Sequence, residues 1–118
     1  MAKILVVEDA VFVRNWCSKL LREKGYDVVE AANGDEALKI YREEKPDGVL
    51  LDITAPETDG VVTIQAIMRM DPEARVAMVT AMGQNAVVLT AIEAGARDSV
   101  MKPFDSNRVL DAVEKLVG

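Results

Sequence analysis

Five short apolar runs alternate along the chain with longer segments that carry apolar residues at helical spacing. The runs cover residues 3–7, 26–31, 47–52, 75–80 and 99–101. Runs this short, bounded by turn-forming or charged residues, are typical of buried strands. Strands that alternate with helices at this spacing indicate a parallel sheet with right-handed crossovers and with helices on both faces.

The sequence therefore predicts an α/β fold. We expect a doubly wound, five-stranded parallel sheet in the flavodoxin-like order 2-1-3-4-5, with five helices on its two faces. Gly25 and Gly95 are expected to end the first and fourth helices. The apolar stripe of the first helix is expected to contain Val13, Trp16, Cys17, Leu20 and Leu21. At 118 residues the chain fits a single domain, residues 1–118.

Composition excludes several classes of function. The chain carries 14 basic and 20 acidic residues, a net charge of −6, which argues against nucleic-acid binding. A single cysteine, Cys17, cannot form an internal disulfide or a zinc cluster, and we place it in the core. The absence of histidine removes the commonest general base and phosphocarrier. Without a membrane-length apolar run or a signal-peptide pattern, we expect a cytoplasmic monomer that contacts no membrane.

The third run ends in a carboxylate. Residues 48–51 are uncharged, follow Pro46 and Asp47, and predict a strand buried on both faces, with Asp52 at its carboxyl end. In open α/β sheets this is the edge where ligands bind. A lone aspartate here would more simply begin a turn, so the interpretation depends on what the neighbouring strands carry.

The other strands also end in chemically useful groups: Glu8 and Asp9 after the first, Thr80 in the fourth and Lys102 after the fifth. Three clustered carboxylates repel one another by several kcal/mol in a partly buried site, so the cluster needs a cation. Lys102 supplies one charge, and the remainder suits Mg²⁺ rather than zinc. A hydroxyl and an ammonium group beside such a site suit phosphoryl transfer, with Asp52 as nucleophile. Singly, each residue also has an ordinary interpretation as a helix cap, a strand former or a surface lysine.

Several motifs resemble those of the two-component receiver domain, and the resemblance extends along the whole chain. They are Glu8-Asp9, Asp52-Ile53 with Pro56 and Asp59-Gly60, Thr80-Ala81, Gly95-Ala96 and Lys102-Pro103-Phe104. Residues 81–84 and 94–98 are most similar to chemotaxis response regulators of the CheY type.

The resemblance implies a phosphorylation site. Asp52 would accept a phosphoryl group from the phosphohistidine of a sensor histidine kinase, and Thr80 and Lys102 would bind the phosphoryl oxygens. Mg²⁺ would be held by Asp9, Asp52 and the Thr54 carbonyl, with Glu8 acting through water. The Lys102-Pro103 peptide is usually cis in the family. Such a chain is not a classical enzyme, although it catalyses its own Mg²⁺-dependent phosphorylation and dephosphorylation.

The segment 85–94 is expected to bind a downstream protein target together with the last strand and the closing helix. Its apolar residues, Val87, Val88, Leu89, Ala91 and Ile92, surround almost the whole helix. A helix that covers a sheet normally has one polar side, so an apolar strip on that side indicates a binding surface.

The chain departs from the family pattern at four positions. Glu8 stands where aspartate is commoner, and Ala55 and Thr58 stand where methionines are usual. Ser99 replaces the usual tyrosine or phenylalanine, which turns inward on phosphorylation. The serine at position 99 leaves open the alternative that the chain is a receiver-fold interaction module with weak or absent phosphorylation-dependent switching.

Two further protein classes share parts of the pattern. A flavodoxin-type cofactor binder needs a phosphate loop after the first strand, where this chain has Glu8-Asp9. A haloacid-dehalogenase-type phosphatase needs a second aspartate two residues after the nucleophile, where this chain has Thr54.

Overall fold

The structure, a computed structural model, describes residues 2–54, 59–81, 85–102 and 105–118. The strands are β1 (Lys3–Val7), β2 (Asp27–Ala31), β3 (Gly48–Asp52), β4 (Val76–Ala81) and β5 (Asp98–Lys102). The helices are α1 (Val11–Glu23), α2 (Gly34–Glu44), α3 (Gly60–Met70), α4 (Asn85–Ala94) and α5 (Ser106–Val117). All ten elements agree with the sequence-based prediction, with boundaries that differ by a few residues at most.

The strands form one parallel sheet in the order β2-β1-β3-β4-β5, which confirms the predicted topology. In this register Val7 pairs with Leu51, Asp52 pairs with Val79, and Ala81 pairs with Lys102. The carboxyl ends of β1, β3, β4 and β5 therefore lie side by side at one edge of the sheet.

Alternate residues of the central strands enter two separate cores, because successive side chains of a strand point to opposite faces. Val49 and Leu51 pack with residues of α2, α3 and α4, whereas Leu50 packs with residues of α1 and α5. Every residue of β3 is buried, as predicted. Cys17 is also buried in the α1/α5 core, in agreement with the sequence-based placement.

Local sequence signals set the helix ends. Asn33 caps α2 by accepting the Glu36 N–H at 2.9 Å, and Asp105 caps α5 by accepting the Arg108 N–H at 2.9 Å. Gly25 and Gly95 have φ values of 95° and 130°, which suit the predicted stops after α1 and α4.

One core prediction is wrong. Trp16 is predicted in the buried stripe of α1, but its side chain is 36% exposed. At 3.6 residues per turn, Trp16 lies about 140° around the helix from Leu21, the most deeply buried residue of α1, so it falls at the edge of the stripe.

Several predicted features lie outside the described residues: Ala55, Pro56 and Thr58, and Pro103, with the cis peptide expected before it, and Phe104. In the ranges that are described, no helix combines the length and the apolar character needed to span a membrane.

Candidate functional site

The predicted site residues gather at the carboxyl edge of the sheet. Lys102, the last residue of β5, extends its ammonium group towards the end of β3, and Nζ lies 2.8 Å from Asp52 Oδ2. The same Nζ lies 3.4 Å from Glu8 Oε1, just beyond β1. Residues separated by 50 and 94 positions in sequence are thus joined by one lysine, which confirms the predicted juxtaposition.

The two inner carboxylates are almost completely shielded from solvent. Asp52 is 2% exposed and Glu8 is 4% exposed, whereas Asp9 is exposed. Each of the three offers a carboxylate oxygen, and these oxygens lie within 4.8 Å of one another. This donor set is entirely oxygen and mostly anionic, which fits a small hard cation such as Mg²⁺.

Charge interactions within the cluster separate the proton affinities of the two buried acids. Burial raises the pKa of Asp52, but its interactions with Glu8, Lys102 and Thr54 outweigh burial and hold that pKa below its usual value. Burial, and then hydrogen bonding with Asp52, raise the pKa of Glu8 to about 8. For Lys102, burial lowers the pKa, but Asp52 and Glu8 more than compensate and raise it. In the absence of a bound cation, Asp52 is therefore the more acidic of the two, and Glu8 holds a proton more tightly.

Thr54 takes part in the site in a way that sequence reasoning missed. Its N–H and its Oγ1 both donate to Asp52 Oδ1, at 2.7 and 2.6 Å. The sequence-based prediction involves only its backbone carbonyl. The Asp-x-Thr spacing was the available signal, because aspartate side chains often accept a hydrogen bond from the backbone two residues later.

Arg14 was also missed, and it fixes the end of β1. Its Nη1 donates to the Glu8 carbonyl at 2.8 Å, and its Nε lies 3.1 Å from Glu30 Oε1. The Ala10 N–H donates to Glu8 Oε2 at 3.1 Å. The Glu8 side chain is consequently held between the start of α1 and Lys102.

Thr80 lies near this edge without joining the hydrogen-bond network. It is 5% exposed, and its Oγ1 has no hydrogen-bond partner in the part of the chain that the structure describes. An unpaired buried hydroxyl costs about 1–3 kcal/mol. Such a cost is expected at a position where a ligand supplies the missing acceptor.

A second surface involves α4. Leu89 is 62% exposed, Ile92 49% and Val87 36%, whereas Ala91 is completely buried against the sheet. The predicted apolar strip therefore faces solvent in this chain. Nearby on β5, Ser99 is half-buried and Met101 is 53% exposed.

Comparison with known proteins gives a consistent result. Residues 4–114 match the family model of the response regulator receiver domain. The chain is 49% identical over 116 residues to chemotaxis protein CheY of Listeria monocytogenes, and the match covers 98% of each chain. It is 37% identical over 113 residues to sporulation initiation phosphotransferase F of Bacillus subtilis, covering 96% of this chain and 91% of the relative.

A crystal structure of NtrX from Brucella abortus has the same fold, with a TM-score of 0.92 and 30% identity. The match covers 98% of this chain but 26% of NtrX, so the chain spans about a quarter of that protein.

Proposed function

The chain belongs to the response regulator receiver domain family, and we propose that it acts as a single domain, residues 1–118, which takes a phosphoryl group from a sensor histidine kinase onto Asp52. Phosphorylation then changes its affinity for a downstream protein target in chemotaxis-type signalling. An interaction module that does not switch is not favoured by the similarity to CheY and to a phosphotransferase.

The observation that carries this proposal is the environment of Asp52. Its carboxylate is buried at a strand end, held ionised, and paired with Lys102 at 2.8 Å. An ionised carboxylate is a competent nucleophile towards phosphorus, and the adjacent ammonium group is placed to offset charge on the incoming phosphoryl group.

Asp9, Asp52 and the Thr54 carbonyl would hold Mg²⁺, with Glu8 acting through a water molecule. When bound, the ion offsets the charge of the carboxylates and of the transferred phosphoryl group. The proximity of the carboxyl oxygens of Glu8, Asp9 and Asp52 supports this assignment, because an all-oxygen donor set of this kind suits Mg²⁺.

The remaining roles belong to the chain's own side chains. An Asp52 oxygen forms the new bond to phosphorus while the bond between phosphorus and the donor histidine nitrogen breaks, and that nitrogen keeps the electron pair. Lys102 and Thr80 then bind the phosphoryl oxygens. The unpartnered Thr80 hydroxyl supports its role, because a phosphoryl oxygen would supply the acceptor that it lacks among the described residues.

Intact-mass measurement after incubation with acetyl phosphate and Mg²⁺ tests the proposal. We expect a mass gain of one phosphoryl group in the parent chain, and no gain in EDTA or in Asp52→Asn. Full labelling in EDTA, or labelling that persists in Asp52→Asn, would show that the site is wrongly assigned. An unlabelled parent chain would favour the interaction module instead.

A further inference from the structure

The hydroxyl of Thr54 is bound directly to the proposed phosphoryl acceptor. Its Oγ1 lies 2.6 Å from Asp52 Oδ1, and the Thr54 backbone nitrogen lies 2.7 Å from the same oxygen. These separations are typical of hydrogen bonds to an ionised acceptor. Asp52 is 2% exposed, so these two donors act in a site that is largely shielded from solvent. One oxygen of the acceptor is thus held by two donors of a single residue.

The other oxygen of Asp52 has a different environment. Oδ2 lies 2.8 Å from Lys102 Nζ, and that same Nζ lies 3.5 Å from Thr54 Oγ1. An ammonium group has donors and no acceptor, so the single proton of the Thr54 hydroxyl remains directed to Asp52. The carboxylate is therefore held at both ends, by Thr54 at Oδ1 and by Lys102 at Oδ2.

The hydroxyl is not required to close the local turn. The backbone N–H of Thr54 already makes the hydrogen bond from residue i+2 to an aspartate side chain that defines such a turn. The hydroxyl adds a second, shorter bond to the same oxygen. Its removal should therefore leave the turn in place and release only the orientation of the carboxylate.

We propose, as an inference that rests on the function proposed above, that the Thr54 hydroxyl is a positioning group for phosphoryl transfer. It fixes the plane of the Asp52 carboxylate, so that Oδ2, on the Lys102 side, is the oxygen that forms the bond to phosphorus. The bond between phosphorus and the donor atom breaks at the same time, and the donor atom keeps the electron pair. Thr54 exchanges no proton in this step.

Two effects of the hydroxyl oppose each other. By hydrogen bonding, it lowers the basicity of Asp52, which weakens the nucleophile, and it restricts the carboxylate to one orientation, which favours attack. The backbone N–H of Thr54 and the Lys102 ammonium group still stabilise the carboxylate charge when the hydroxyl is removed, so we expect the loss of orientation to dominate.

The test compares three variants with the parent chain: Thr54→Val, which keeps the shape but loses the hydroxyl, Thr54→Ala, which cannot introduce a clash, and Thr54→Ser, which restores the hydroxyl. Labelling rates are measured by intact mass with acetyl phosphate and with phosphoramidate, both at saturating Mg²⁺. We expect the Val and Ala variants to be slower by about tenfold with both donors, and the Ser variant to remain within about twofold of the parent.

Each contrary outcome overturns the inference. Parent-like rates in Thr54→Ala would mean that the hydroxyl does not position Asp52, and an equal loss in Thr54→Ser would mean that the hydroxyl is not the group that matters. If the Val and Ala variants matched the parent at saturating Mg²⁺ and were slower only at lower Mg²⁺ concentrations, the residue would act on metal binding instead. If the parent itself were not labelled, the proposed function would fail, and this inference would fail with it. If the parent were labelled and Thr54→Ala were labelled equally fast, only the inference would fail. Urea unfolding in EDTA shows whether any variant has lost its fold. If Thr54→Val is unfolded, the comparison between Thr54→Ala and the parent decides the outcome.

Discussion

At the scale of single residues, Ser99 is the position where this chain differs most from the pattern it resembles. Its N–H donates to Asp98 Oδ1 at 2.8 Å, and its carbonyl accepts from Arg108 Nη2 at 2.6 Å. The backbone of β5 is therefore tied to the first turn of α5. The serine side chain, however, is much smaller than the tyrosine or phenylalanine usual in the family, and we expect it to leave unfilled the space that such a ring would occupy after phosphorylation.

We expect this substitution to weaken the coupling between phosphorylation and target binding. A ligand shifts a conformational equilibrium only if it binds the two states with different affinities, and without the ring the outer surface gains little from the movement of Thr80. The affinity for a target should change by less than about fivefold on addition of beryllofluoride in the parent, and by about tenfold or more in Ser99→Tyr.

Titration of the target with and without beryllofluoride, for the parent and for Ser99→Tyr, gives the change in target affinity for each protein. Met101→Tyr is the matched control, because it places the same ring on the same face of β5 two residues further along. A large affinity change already present in the parent, with no increase in Ser99→Tyr, would show that the aromatic residue is dispensable.

At the scale of secondary-structure elements, α4 is the helix whose composition is least suited to its position. It covers the sheet through the completely buried Ala91, yet Leu89 and Ile92 face solvent. Exposed apolar surface costs about 25 cal/mol per Å² relative to burial. Together with β5 and α5, this strip is the surface that we propose for the downstream target.

Substitution of one exposed leucine should separate target binding from phosphorylation. Leu89→Asp places a charge in the proposed interface and should weaken target binding by about tenfold or more, while labelling of Asp52 by acetyl phosphate remains unchanged. Val62→Asp provides the control, because Val62 is similarly exposed, at 52%, but lies on α3. Amide-shift mapping with the target that left α4 unaffected would rule out this surface.

At the scale of the whole molecule, the buried carboxylates connect folding stability to pH. The pKa of Glu8 is about 8 in the folded chain against 4.5 for a free glutamate, so the folded state binds its proton more tightly than the unfolded state does. The stability from this proton is fully present below pH 4.5 and is lost as the pH rises through about 8. The Asp52 contribution has the opposite sign. Because the pKa of Asp52 is lowered in the folded chain, the stability that its carboxylate provides is present at neutral pH and is lost only in acid.

In EDTA, the free energy of unfolding attributable to Glu8 should therefore fall between about pH 5 and pH 8, by on the order of a few kcal/mol. Urea unfolding at several pH values measures this slope, and Glu8→Gln isolates it because glutamine does not titrate. Mg²⁺ at pH 8 should stabilise the parent more than Glu8→Gln. If the parent and the variant showed the same pH dependence, Glu8 would not hold the proton.

The sequence was sufficient for the elements, for their order in the sheet and for the acidic residues and lysine of the site. These depend on short-range information: the hydrophobic period identifies strands and helices, and the rule that parallel strands end at one edge brings Asp52 and Lys102 together. The fixed handedness of crossover connections then leaves few topologies to consider.

Only the tertiary structure decided how the side chains at that edge are used. The two hydrogen bonds from Thr54 to Asp52, the hydroxyl of Thr80 without a partner among the described residues and the exposed position of Trp16 depend on rotamers and on close packing between elements. The proton affinity of Glu8 depends in the same way on its burial and on its distances to charges at remote positions in the chain. Hydropathy and spacing report which face a residue occupies, but a hydrogen bond is decided by tenths of an ångström, and distances of that size are set by the packing of the whole domain.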